Sequence, residues 1–348
     1  MIIKLPNFNI KEFSKPFLVA EIGSNFNGSM ELAEKMILSA KECGADAVKF
    51  QSCNKDTILQ EKIWKNSPSP IPEFKLKNQE EFENFIALDE DKIKHLSNFS
   101  KKNNILFSST AFCNADVDLL EELDVPFFKI ASMDLNHHLL IDYISKKKKP
   151  IFISCGFGEE HEIKEALDII KSNNNNSAVL LYCVSLYPPK LENVNLNQID
   201  YMREKFKVQI GFSDHSLGVL LSTAACAKGV SVIEKHFTTD KKLPGLDHTI
   251  SADPKEMLEL SNNINNLSLS LKEFAVDVTD QEMSNKYKMR RSIVASKDLK
   301  IGKKIEITDL DFKRFGDGIP PSDYKKIIGK KITKDLKYDD QFKLEDFE

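Results

Sequence analysis

The sequence has no C-x-x-C pair, no apolar run long enough to cross a membrane and no large excess of either charge. Each absence excludes something. The six cysteines, Cys43, Cys53, Cys113, Cys155, Cys183 and Cys226, are scattered over 348 residues. That argues against a thiolate zinc site or a disulfide framework and for reduced thiols. Any metal must be sought among histidines and carboxylates. No apolar stretch approaches the roughly 20 residues that span a bilayer. The opening MIIKLPNFNIKEFSKPF is interrupted by charge and proline. Neither a signal peptide nor a membrane partner is therefore expected, and the expected location is cytoplasmic. Lys and Arg number 49 against 53 Asp and Glu, a net charge of −4, which removes the bulk electrostatic case for nucleic acid. What is present, 29% charged and 41% hydrophobic residues, describes a globular chain. Its length suits a large α/β domain with a small companion.

Short apolar runs alternate with amphipathic stretches. FLVAEIG (17–23), AVKFQ (47–51), ILFSST (105–110), FFKIAS (127–132), IFISCG (151–156), AVLLYC (178–183), VQIGFS (208–213) and VIEKHF (232–237) are the candidate strands. Their hydrophobicity is continuous, as in parallel sheets buried on both faces. Helical periodicity falls between them. After Ser29, a candidate N-cap, Leu32, Met36, Ile37 and Ala40 form an inner stripe that Gly44 ends. Further helices are expected at 89–102, 115–123, 139–146, 159–172, 196–205, 218–228 and 254–271. Repeated strand-then-helix units predict a (β/α)8 barrel over residues 1–272. The first turn, EIGSNFNG, lacks the G-x-G-x-x-G of a dinucleotide-binding open sheet. Residues 52–80 are long for a βα loop and would lie over the C-terminal mouth as a lid. Residues 273–288 read as a linker. Residues 289–348 carry turn signals at Gly302 and at Asp317-Gly318, which predict a small β-rich domain.

Barrel chemistry sits where strands end. Those ends carry Glu21, Lys49, Gln51, Thr110, Lys129, Ser132, Asp134, Ser154, Tyr187, Ser213, His215, Glu234 and His236. Strand interiors of Val, Ile and Phe need no such residues, and burying them unpaired would be costly. His215 and His236 end adjacent strands and can converge on one divalent ion, leaving open positions for water and substrate. The alternative is that each is a satisfied core histidine. Lys49 and Lys129, with hydroxyls between them, suit a phosphate or carboxylate, unless Glu21 and Asp134 merely pair with them. Glu234 and Lys235 alternate across the barrel wall, so at most one faces the mouth. Arg314, in KRFGDG, reads by itself as a surface charge.

AEIGSNFNGSMELA, ADAVKFQ, FSSTAF, KIASMD, ISCGF, GFSDHSLG and IEKHFTTDKKLPGLDH occur in that order, and together they resemble the sialic acid synthase family over almost the whole chain. The tail is similar to the antifreeze-like (SAF) domain of those enzymes. The resemblance implies condensation of phosphoenolpyruvate with an N-acetylated hexosamine, N-acetylmannosamine first, in a domain-swapped homodimer. A legionaminic- or pseudaminic-type synthase acting on a diacetamido-trideoxyhexose is the alternative. The stretch LPGLDH resembles the P-G-P-D-H of the sialic and legionaminic branches. Carried over by position, Lys49, Thr110, Lys129, Ser132, Ser154, Ser185 and Ser213 would hold phosphoenolpyruvate. Gln51, Asp134, Tyr187, Asp247 and Arg314 would face the sugar, with Arg314 lent by the other subunit. His215 and His236 would bind manganese or magnesium, and Glu21 would stand beside the reacting centre. The sequence departs from the family pattern at Phe26, where His is usual, at Cys155 and Val184, where Thr is common, and at Asp134, shorter than a Glu. Two rival functions share the fold. They are a metal-free Schiff-base aldolase using Lys49 or Lys129 and a non-catalytic sugar-phosphate sensor.

Overall fold

The eight apolar runs become parallel strands because each is bounded by a helix that returns the chain to the same end. A computed structural model describes residues 2–53, 58–271 and 278–348. It divides into two compact units, residues 1–272 and 273–348.

The first unit opens with a short hairpin, β1 (Ile3–Leu5) and β2 (Phe8–Ile10). Eight strands then close into a barrel: β3 (Phe17–Gly23), β4 (Ala47–Gln51), β5 (Leu106–Thr110), β6 (Phe128–Ile130), β7 (Ile151–Ser154), β8 (Ala178–Tyr182), β9 (Gln209–Asp214) and β10 (Val232–His236). β10 pairs with β3, so no edge is left. Helices Met30–Glu42, Glu90–Lys102, Asn114–Glu122, His138–Lys146, Glu160–Ser172, Asn197–Phe206, Leu220–Ala227 and Pro254–Ser270 lie between or after the strands. The first is capped as expected, Ser29 accepting from the Leu32 N–H at 3.2 Å. Its buried stripe is Ala33, Met36, Ile37 and Ala40, with Leu32 only partly covered. The expected lid stretch holds helix Glu61–Trp64, a 3-10 turn at Pro72–Phe74 and the start of helix Gln79–Ile86. Its residues 54–57 lie outside the described residues.

Strand alternation builds the site. The inward positions are apolar at the N-terminal end, where Phe17, Val19, Ala47, Phe127, Phe152, Val179, Leu181 and Val232 form one cluster. The hairpin residues Ile3, Leu5 and Ile10 pack into that cluster and plug the barrel from below. Moving two residues at a time toward the mouth on the same face reaches Glu21, Lys49, Lys129, Ser154 and Glu234, all buried. The sequence did not foretell the hairpin. Its strands are three residues long and turn at Asn7, whose φ is +60°.

In the second unit, β11 (Ser292–Ala295) pairs antiparallel with β12 (Leu310–Lys313). Around them Ile293, Leu299, Ile305, Ile327, Ile332 and Phe342 make a separate core. The stretch read as a linker contains helix Asp280–Met289, started by a capping box between Thr279 and Glu282. Its residues are exposed, so no apolar stripe announced it.

Candidate active site

At the C-terminal mouth the inward side chains enclose a cavity of about 360 Å³. Glu21, Lys49, Gln51, Thr110, Lys129, Ser132, Ser154, Ser185, Tyr187, Ser213, His215 and His236 all line it, together with Glu234. One end is ionic. Lys49 Nζ lies 2.6 Å from Glu21 Oε2 and 3.7 Å from Glu234 Oε2, and it donates to Thr110 Oγ1 at 3.0 Å. Lys129 Nζ lies 3.9 Å from Glu234 Oε1, which also accepts from Ser213 Oγ at 2.9 Å. Glu234 therefore bridges the two lysines. Burial alone would raise its pKa, but Lys129 and Lys49 outweigh that and hold it down to about 2. Glu21 goes the other way. Burial drives it up to about 7 against the pull of Lys49, with Glu234 adding to the rise. The surroundings thus push two adjacent carboxylates in opposite directions.

The cradle of hydroxyls lies on β6, β7 and the loops beyond. Ser132 Oγ accepts from the Gly156 N–H at 3.0 Å and sits 3.3 Å from Cys183 Sγ. A Cβ at Gly156 would come within 2.0 Å of Ser185 Oγ and 2.9 Å of Ser132 Oγ. Glycine there keeps the hydroxyls together. Among the described residues Ser154 Oγ, which is buried, has no hydrogen-bond partner. A buried hydroxyl without a partner is an open acceptor-donor position, and hydroxyls beside Lys129 match the oxygens of a phosphate or carboxylate.

The histidines occupy the other wall. His215 Nδ1 lies 2.9 Å from the Val184 carbonyl. A carbonyl only accepts, so Nδ1 carries the proton and Nε2 keeps its lone pair. The Val184 departure costs nothing here, since its contribution is backbone. The His236 ring centre is 5.4 Å from that of His215, and Tyr187 stacks on His215 at 4.2 Å. His236 Nδ1 is buried with no hydrogen-bond partner among the described residues, and Asp247 Oδ2 lies 3.7 Å from it. Burial pushes both imidazoles below the ordinary histidine range, His215 to about 4, so both are neutral donors at neutral pH. Among the described residues no group of three or more His, Cys, Asp and Glu forms a protein-only cage. The donor set fits a divalent cation that takes its remaining ligands from water and substrate.

A side cavity of about 220 Å³ shares Gln51, Cys53 and Ile58 with the main one and adds Asp247, Glu83, Phe26, Leu59, Ile86 and Leu246. Gly23, at φ +53°, turns the chain between the two, and Gln51 Nε2 donates to Glu21 Oε1 at 2.8 Å. Phe26 is buried edge-on against Phe50 at 6.1 Å, where the family's His would be polar.

Two expected sugar contacts of the barrel are not on the wall of the main cavity: Asp134, and Asp247, which lines the side cavity. Asp134 ends the turn Ser132–Asp134 and is absent from the cavity wall. Arg314 belongs to the other unit, exposed beyond β12. Glu234 was under-read from sequence. Parity with His236, two residues on, selects it over Lys235 as the inward side chain. The Lys49–Glu21 contact expected of a structural pair is present, yet both groups also face the cavity. Lys129 pairs with Glu234 rather than with Asp134.

A NeuB family model matches residues 36–275, and a SAF domain model matches residues 290–348. The N,N'-diacetyllegionaminic acid synthase of Legionella pneumophila is 36% identical, over 92% of this chain and 91% of that protein. The pseudaminic acid synthase of Campylobacter jejuni is 33% identical, over 99% of this chain and 100% of that protein. The crystal structure of N-acetylneuraminic acid synthetase from Leptospira borgpetersenii, in complex with citrate, has 30% identity and a TM-score of 0.73. It covers 82% of this chain and 95% of its own.

Proposed function

The chain belongs to the NeuB family, and on that premise we propose that it condenses phosphoenolpyruvate with the open-chain aldehyde of an N-acetylated hexosamine. The products are a nine-carbon 2-keto acid and inorganic phosphate. One observation carries the reading: Lys49, Lys129, a bed of hydroxyls and two neutral imidazoles line a single cavity. Lys129, Ser132, Ser154 and Ser185 would hold the phosphate, and Lys49 with Thr110 the carboxylate. Fixing both ends of the enol places its C3 toward the histidine wall. A divalent cation held by His215 and His236 supplies Lewis acidity to the aldehyde oxygen when bound. Carbon–carbon bond formation leaves C2 electron-poor. Water adds there and Glu21 takes up its first proton, which passes to the oxygen of the former aldehyde. The C2 hydroxyl then collapses to the keto group, phosphate departs with the C–O bond electrons, and the second proton leaves with it. Glu234 keeps both lysines charged and in place.

The cytoplasmic, homodimeric arrangement implied by the family likeness belongs to the same proposal. Met133, Phe157, Leu186, Leu217 and Leu246 stand exposed on the loops around the barrel mouth. An apolar rim of that kind suits cover by the partner's small domain, which would bring Arg314 to the sugar.

N-acetylmannosamine is the first acceptor. A 2,4-diacetamido-trideoxyhexose is a second, favoured by the side cavity, where Phe26, Ile58, Leu59, Ile86 and Leu246 would accept a methyl group more readily than a hydroxyl. The test is to incubate purified protein with phosphoenolpyruvate and each sugar in ¹⁸O-water. The expected result is a nine-carbon keto acid with unlabelled phosphate. Labelled phosphate would refute C–O cleavage, and no product with any sugar would refute the synthase.

A further inference from the structure

Directly behind the two histidines lies an ion pair that the chemistry above does not use. Asp214 and Lys235 are register partners on β9 and β10, immediately preceding His215 and His236. They point outward, away from the cavity, and their side chains are 1% and 0% exposed. Lys235 Nζ lies 3.0 Å from Asp214 Oδ2. The other outward positions nearby, Ile210, Phe212 and Ile233, are apolar and belong to the layer between strands and helices. Burying two charges in that layer is costly, and a well-packed apolar pair is often no less stable. Stability alone does not account for the pair.

Its hydrogen bonds suggest another role. Asp214 Oδ1 accepts from the Ser216 N–H at 2.8 Å, while Lys235 donates to the Ser216 carbonyl. Asp214 Oδ2 also accepts from Ser222 Oγ, on helix Leu220–Ala227. The Ser216 peptide groups directly after His215 are thus gripped by a side chain of the strand before it and by one from the strand carrying His236. We propose that Asp214 and Lys235 are positioning residues that fix the separation of the His215 and His236 imidazoles so that they share one divalent cation. This rests on the reading of those histidines as cation ligands.

The test uses full-length protein and cobalt(II), followed by its visible absorption. Asp214→Asn combined with Lys235→Met removes both charges while preserving size. The double variant should melt close to the wild type yet bind cobalt on the order of ten- to a hundredfold more weakly. Its cobalt absorption should shift, and KM for phosphoenolpyruvate should stay put while kcat falls. Ser222→Ala, a milder loosening of the same clamp, should weaken cobalt by a few-fold. A folded double variant with wild-type affinity and spectrum overturns the inference and leaves the metal reading standing. A wild-type protein that binds no cobalt overturns both. If the double variant does not fold, unchanged cobalt affinity in Ser222→Ala overturns the inference by itself.

Discussion

Glu21 and Lys49 face each other across β3 and β4 and meet at 2.6 Å with both side chains 2% exposed. The contact gives Lys49 a fixed charge. Burial works against that charge, yet Glu21 and Glu234 together hold the lysine above its ordinary value. A Schiff-base nucleophile needs a free amine, so Lys49 is cast as a cation for substrate. Glu21, pushed up to about 7 chiefly by burial, is cast as a group that exchanges protons near neutrality.

The first prediction follows from that carboxyl. With Glu21 as proton acceptor, kcat/KM should rise with pH through about 7. Glu21→Gln should lower the rate and flatten the limb, and an unchanged limb would remove Glu21 from the role. The same group has a stability signature. Its folded-state value lies above the unfolded 4.5, so its contribution is present below about 4.5 and lost as pH rises through about 7. Melting curves of Glu21→Gln against wild type should therefore shift in favour of the variant between pH 5 and pH 8.

Lys129→Met should act on one substrate only. Losing charge-assisted bonds to the phosphate should cost about 1.5–3 kcal/mol, on the order of a ten- to hundredfold rise in KM for phosphoenolpyruvate. KM for the sugar should stay within about threefold. Initial-rate kinetics in both substrates check this, and an effect confined to the sugar would reverse the assignment of the two ends of the cavity.

Removal of divalent metal should abolish turnover, because two neutral imidazoles converge on the aldehyde side of the cavity. Manganese should restore it. Full activity in excess chelator, with borohydride trapping of a lysine adduct, would favour the aldolase instead.

Arg314→Ala should leave folding intact, since the side chain is exposed and supports no core. It should weaken use of the amino sugar by about 1.5–3 kcal/mol, on the order of ten- to a hundredfold. Mixing it with Lys129→Ala, at phosphoenolpyruvate too dilute for that variant to turn over, should regain activity in heterodimers, where one site combines an intact barrel with an intact arginine. No recovery under proven subunit exchange would show that the site is not shared between chains.

The sequence by itself determined the barrel. Hydrophobic continuity and helix periodicity are local properties, and eight repeats of them leave few ways to close a sheet. It also marked most of the residues that line the cavity, because polar residues at strand ends have no reason to be there except the mouth. Tertiary structure decided what depends on register and on distant partners. That Glu234 bridges Lys49 and Lys129 follows from β4, β6 and β10 turning those side chains into one barrel. The tautomer of His215 is set by the carbonyl of Val184, 31 residues away. Asp134 is not on the cavity wall, although Ser132 and Met133 of the same turn are. Hydrogen bonds of this kind form between segments brought together only when the barrel closes, so no local pattern in the chain can announce them.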